Sequence, residues 1–179
     1  MNNMHPFGFT LYGQPATKKN SAIMARGHAA LLPSKAYKKY EKHCREAINL
    51  LRYKIRLPHF SGPVRIQVHY YLESTAHWPD LVGLEQATAD ILSDEYKVID
   101  HKKRLVCPWL LSDDRIIKNW DGSCIAGIDK DKPRAEIIII PLITSLDTEL
   151  DPFIKKQLAA RAQVALFGGC VNVQPEIQR

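Results

Sequence analysis

The chain lacks any apolar run that approaches the roughly 18 residues of a membrane-spanning helix. It shows no secretory leader either, because Met1–Gly13 has no basic start followed by an apolar core. Cysteine is scarce and dispersed. Cys44, Cys107, Cys124 and Cys170 have no close spacing, which argues against a zinc site or a disulfide framework and fits a reducing cytoplasm. No His-x-x-His spacing occurs, so His77 and His101 read as surface residues rather than metal ligands. Repeats and low-complexity tracts are missing. One ordinary globular domain with a real core is therefore the expectation for 179 residues.

Charge is present but unevenly placed. The net charge is +6, yet residues 1–57 carry eleven Lys/Arg against two Glu, and residues 58–179 carry fourteen Lys/Arg against seventeen Asp/Glu. A basic segment joined to a body with clustered acids suggests a polyanionic partner. A solvated basic helix face explains the same distribution without one.

Local patterns give an order of elements. Phe7–Tyr12 is rich in strand formers and ends at Gly13 and Pro15. Lys18 to Leu32 shows no clear period and reads as an exposed loop, with Lys18 and Lys19 available to a phosphate backbone or to solvent. Ser34 is a helix N-cap. Tyr37, Tyr40, Cys44, Ala47, Ile48 and Leu51 then recur at helical spacing to about Ile55, with Lys38 and Lys39 on the polar side. Val64, Ile66, Val68 and Tyr70 alternate with polar residues, the clearest strand in the chain. Ser93 to Ser112 reads as an excursion with a basic tip, Lys102-Lys103-Arg104. Arg115–Trp120 starts a strand that Cys124–Ile128 continues after a turn or bulge at Asp121-Gly122-Ser123, and Ala135–Ile140 is a β-branched, fairly central strand. An apolar stripe from Ile154 to Leu166 predicts a C-terminal helix for packing or a dimer contact.

The chemistry concentrates around Pro79–Leu92. Asp80 stands where a strand gives way to a helix, and as a lone acid it is equally an N-cap. Leu81, Leu84, Thr88 and Ile91 share the core-facing side, while Val82, Gln86 and Asp90 form a second stripe. Asp90 falls near the helix C-terminus, where the macrodipole disfavours an anion unless Lys or Arg pairs with it. Asp113-Asp114 precedes a strand and is either a turn pair or part of an acid site. Carboxylates gathered in space bind a hard divalent cation, which orients water and stabilises charge on a phosphate.

In the order of these motifs the chain resembles the RusA-type Holliday junction resolvases (crossover junction endodeoxyribonucleases) of phages and prophages. Asp80 matches the family's first acid, Asp90 its helix acid, and Asp113-Asp114 its distal pair, with Asp114 at the position usually counted as catalytic. Gly13-Gln14-Pro15 through Lys18-Lys19, Pro33-Ser34-Lys35-Ala36-Tyr37, Asp121-Gly122-Ser123 and Pro133-Arg134-Ala135-Glu136 also match, so the likeness spans about Phe7 to Leu142. Three positions depart from the pattern: the second acid is Val82 here, the Asn is Gly83 and the Lys is Gln86.

The resemblance implies a small α+β fold, a mixed sheet flanked by helices, over residues 1–142; the apolar stripe beyond it makes 143–179 a helical extension packed on that domain or at a dimer interface. It implies Mg²⁺-dependent cutting, with Mn²⁺ as a substitute, of branched DNA such as a four-way junction. Asp80 and Asp114 would hold the metal, with Asp90 and Asp113 as further catalytic acids. Lys18, Lys19, Lys38, Lys39, Lys102, Lys103 and Arg104 would contact DNA. A homodimer would supply two active sites for paired nicks, in the cytoplasm of a bacterial host. The alternative is a branched-DNA-binding protein of the same fold with weakened catalysis.

Overall fold

The structure is a computed structural model that describes residues 5–18, 20–25, 28–76 and 78–142. Lys19, His77, and the segment 143–179 with its expected helix lie outside the described residues.

Strict alternation makes the central strand. From Val64 to Leu72 every second side chain is buried, as a sheet with one covered face requires. In chain order the elements are β1 (Phe7–Tyr12), β2 (Asn20–Ala25), β3 (His28–Pro33), α1 (Lys35–Lys54), β4 (Val64–Leu72), α2 (Leu81–Leu92), β5 (Glu95–Ile99) and β6 (Lys102–Cys107). A 3₁₀ turn at Asp114–Ile116 and the strands β7 (Ile117–Asn119), β8 (Cys124–Ile128) and β9 (Arg134–Pro141) follow. β9 lies between β1 and β4 and runs antiparallel to both. β7 and β8 lie along the other edge of β4, parallel to it, with Asp121-Gly122 between them and Gly122 at φ 82°. The fold is therefore α+β, as expected, with one mixed sheet and, among the described residues, two α-helices.

The core lies between the helices and one face of the sheet. Tyr37, Tyr40, Cys44 and Ile48 of α1 and Leu84, Ala87, Thr88 and Ile91 of α2 are buried. All of these but Thr88 form one hydrophobic cluster with Ile66, Val68, Ile137 and Ile139. The Tyr70 and Thr88 hydroxyls are bonded at 2.8 Å inside this cluster and tie α2 to β4. Ser34 caps α1 by accepting from the Tyr37 N–H at 3.1 Å, and Asp80 caps α2 by accepting from the Gly83 N–H at 2.6 Å. Gly83 is needed for that cap, since a Cβ there would stand 2.6 Å from Asp80 Oδ1 and 3.0 Å from Thr17 Cγ2.

Two expectations change. The segment expected as a loop over Lys18–Leu32 contains an antiparallel hairpin, β2 with β3, paired from Asn20↔Pro33 to Ala25↔His28. Its alanine-rich strands lack the polar–apolar alternation that marks a half-buried strand. The basic tip of the Ser93–Ser112 excursion belongs to a second hairpin, β5 with β6, whose turn is Asp100-His101 at φ 53° and 58°. Lys102, Lys103 and Arg104 lie along β6 rather than at the turn. The pairs Tyr96↔Leu105 and Val98↔Lys103 share one face, while Lys97↔Arg104 and Ile99↔Lys102 share the other.

Candidate functional site

A cleft of about 310 Å³ opens where the end of α2, the β5–β6 hairpin and the start of the 3₁₀ turn meet. Its acids arrive from separate parts of the chain. Asp90 comes from the last turn of α2, and Asp113 and Asp114 come from the other side of the hairpin. The segment just before Asp113 is zipped into place by backbone hydrogen bonds. Leu110 and Leu111 N–H donate to Leu92 C=O at 3.0 and 2.9 Å, Asp94 N–H donates to Leu111 C=O at 2.8 Å, and Ser112 N–H donates to Phe60 C=O at 2.9 Å. With Leu110, Leu111 and Ser112 buried, Asp113 and Asp114 follow at the cleft.

Electrostatics separate the three acids. Asp90 has the cation that its place at a helix C-terminus calls for, since Lys18 Nζ donates to its Oδ2 at 2.7 Å. Asp113 accepts from the Arg115 backbone N–H at 3.1 Å and from Arg115 Nε at 2.9 Å. Partial burial pulls the Asp113 carboxyl upward, but these Arg115 bonds outweigh it and hold the group below the usual carboxylate range. Asp114 goes the other way. Partial burial, a hydrogen bond with Asp113, and the negative charges of Asp113 and Asp90 all raise it. Among the described residues no cation is bonded to Asp114.

Arg45 forms the wall. It pairs with Glu41 at 3.2 Å and Glu95 at 3.3 Å, and donates to the Asp90 C=O at 3.4 Å. Its guanidinium lies 5.2 Å from the Trp109 ring, which Arg52 also approaches at 5.0 Å. Below it, the Asp94 side chain accepts from Trp109 N–H at 2.6 Å and contacts His59 Nε2 at 3.0 Å. At the mouth, Lys103 Nζ stands 4.2 Å from the centre of the Tyr96 ring, on the hairpin face turned to the cleft.

The candidate residues thus divide. Asp90, Asp113 and Asp114 face one cleft, and Lys18 and Lys103 line it with them. Asp80 does not join them. It starts α2 ten residues before Asp90, about 15 Å along the axis at a helical rise of 1.5 Å per residue. Lys38 and Lys39 are exposed on α1, and Lys102 and Arg104 are on the hairpin face away from the cleft. Arg45, Asp94 and Glu95 are site residues without a sequence motif, and their only signal is adjacency to α2 or to the basic face of α1.

Among the described residues no group of three or more His, Cys, Asp or Glu is placed to hold a metal ion. Mg²⁺ is ordinarily held by one or two carboxylates together with phosphate oxygens and water. Asp90 and Asp114 supply that all-oxygen donor type, and the unfavourable anion at Asp114 is what a cation would relieve. The residues therefore fit a hard divalent ion that is completed by substrate.

The place of Asp80 at the helix cap and outside the cleft has a direct consequence. Asp80→Asn keeps an N-cap acceptor, and Asp80→Ala loses it at about 1 kcal/mol. The melting temperature is expected to fall further in the alanine variant than in the asparagine variant, with junction cutting within a few-fold of wild type in both. A hundredfold loss of cutting in Asp80→Asn would return Asp80 to the reacting set.

Among the described residues no helix is long and apolar enough to cross a membrane. The chain matches no protein-family model and no curated protein.

Proposed function

We propose that this chain is a divalent-metal-dependent endonuclease that cuts branched DNA, of the RusA-type Holliday junction resolvase kind. The observation that carries this reading is the meeting of Asp90 with Asp113-Asp114 at a cleft edged by Lys18 and Lys103. Asp90 and Asp114 hold the ion, Mg²⁺ or Mn²⁺. When bound, that ion supplies activation of the attacking water and neutralisation of the phosphate. Asp113, fixed by Arg115, positions Asp114. Arg45 keeps Glu41 and Glu95 neutralised at the wall, so the open negative charge is concentrated at Asp114. Lys103 stands at the mouth, where a phosphate enters.

Junction arms present phosphates over a broad surface. The outer hairpin face, with Lys97, Lys102 and Arg104, and the exposed Lys38 and Lys39 of α1 suit that substrate. Lys97 and Arg104 are directly opposite each other, and Arg104 is paired with Asp100 at 3.9 Å. A homodimer would set two clefts for paired nicks, with segment 143–179 available to the dimer contact. A phage- or prophage-encoded enzyme acting in the bacterial cytoplasm fits this activity. The alternative, a binding protein with weakened catalysis, is favoured by one observation. Val82 and Gln86, at the positions where the family carries Asp and Lys, are exposed and bring no charge.

Incubating a four-way junction with the protein and Mg²⁺ separates the two readings, since only the first yields paired nicks. Binding without cutting would establish the alternative. Neutralising Lys102, Lys103 and Arg104 together is expected to lower the slope of log affinity against log salt by about 2 to 3, at roughly 0.9 per phosphate contact. An unchanged slope would remove the hairpin from the DNA surface.

A further inference from the structure

Lys18 reaches the cleft on a pinned segment. Gly13 N–H donates to Pro133 C=O at 2.8 Å. Gln14 Oε1 accepts from Glu73 N–H at 2.6 Å, Pro15 is buried, and Thr17 packs over Gly83. The chain from β1 thus runs along α2, and the Lys18 side chain ends on Asp90 Oδ2 at 2.7 Å, an ion pair across 72 positions of sequence. A lysine serving an outer phosphate contact extends into solvent. This one is bonded to a carboxylate that shares its cleft with Asp114, which has no bonded cation among the described residues.

We propose that Lys18 works inside the cleft, as the resident counter-ion of Asp90 that opposes a metal ion at that carboxylate, and not as a contact to the DNA backbone. This rests on the metal-dependent reading above. The charge has a direct consequence for metal binding. A positive charge in contact with Asp90 opposes a divalent ion there, so removing it tightens metal binding, by about tenfold for charges a few ångströms apart in a solvated site. An outer backbone lysine would instead contribute about 0.9 to the salt slope of junction binding.

The test uses the full chain with Lys18→Gln. Mn²⁺ binding without DNA is measured by calorimetry, and junction binding against salt is measured in EDTA. The expected result is Mn²⁺ binding about tenfold tighter with an unchanged salt slope. Unchanged or weaker Mn²⁺ binding overturns the proposal, and so does a fall of about 0.9 in the slope. Lys18→Arg keeps the charge and is expected to bind Mn²⁺ as wild type does. Equal tightening in that variant would mean that loop packing, not charge, is responsible, and would also overturn the proposal. Lys18→Met keeps the aliphatic stem and is measured in the same way if the glutamine variant does not fold. A wild-type chain that binds no Mn²⁺ overturns the metal-dependent reading itself. Wild-type binding that Lys18→Gln leaves unaltered overturns only the role of Lys18.

Discussion

Asp114→Asn is expected to lower junction cutting by at least about a hundredfold while raising the melting temperature of the metal-free protein at neutral pH. The two effects have one cause. Partial burial, the hydrogen bond to Asp113, and the charges of Asp113 and Asp90 make Asp114 a poor place for an anion. A carboxyl raised in the folded state above its unfolded value contributes stability at low pH, and that contribution is lost as pH rises through the folded value. At neutral pH the wild-type chain therefore carries an unfavourable charge, and the asparagine variant does not. The gain in melting temperature should shrink as pH is lowered past the raised value and vanish below the ordinary carboxylate range, where both side chains are neutral. Divalent metal should stabilise the wild type and leave the variant unmoved, because binding to the folded state alone shifts the equilibrium by mass action. Thermal melts at several pH values in EDTA and in Mn²⁺ measure all of this. A variant that melts lower at neutral pH would show that Asp114 is a structural acid, and undiminished cutting would move the reaction elsewhere.

Much of the scaffold for that acid is legible before any coordinates. Ser34 and Asp80 both stand before apolar residues at helical spacing, and both cap helices that start at the next residue. The core-facing set Leu84, Thr88 and Ile91 follows from a period of 3.6, and the inward face of β4 from a period of two. β9 is β-branched because it is central, paired on both sides. The division of the acids is legible in part, since ten residues of helix hold Asp80 and Asp90 apart whatever else the chain does. The partner of Asp90 is not. A helix-terminal anion calls for a cation, but 72 positions separate Asp90 from Lys18, and no periodicity links them. The hairpins are hidden for a related reason. Cross-strand pairing in β2–β3 and β5–β6 is decided between strands rather than within either one, and the fate of Lys102, Lys103 and Arg104 follows from that register. Arg45 is chosen for the wall by what it meets, Trp109, Glu95 and the end of α2, none of which is near it in sequence.

The second large effect concerns what holds Asp113 and Asp114 beside Asp90. Asp94→Ala is expected to destabilise the chain by about 3 kcal/mol, combining a lost charge-assisted hydrogen bond with a buried N–H left without its acceptor. That corresponds to a fall in melting temperature of roughly 6 to 12 °C for a chain of this size. The Asp94 side chain is only 3% exposed and joins two segments, accepting from Trp109 N–H at 2.6 Å and meeting His59 at 3.0 Å. Its own N–H bonds Leu111 C=O. Loss of the carboxylate frees the stretch that delivers Asp113-Asp114, so Mn²⁺ affinity should weaken along with stability. Asp94→Asn retains an acceptor for Trp109 N–H and loses the charge facing His59, and should show about half the destabilisation. Thermal and urea denaturation of the three proteins, with Mn²⁺ calorimetry below the transition, test the link. An alanine variant that melts within 2 °C of wild type would show that Leu110 and Leu111, buried in the core, hold the acids in place on their own. A variant that melts lower yet binds Mn²⁺ undiminished would separate the stability of the fold from the placement of the site.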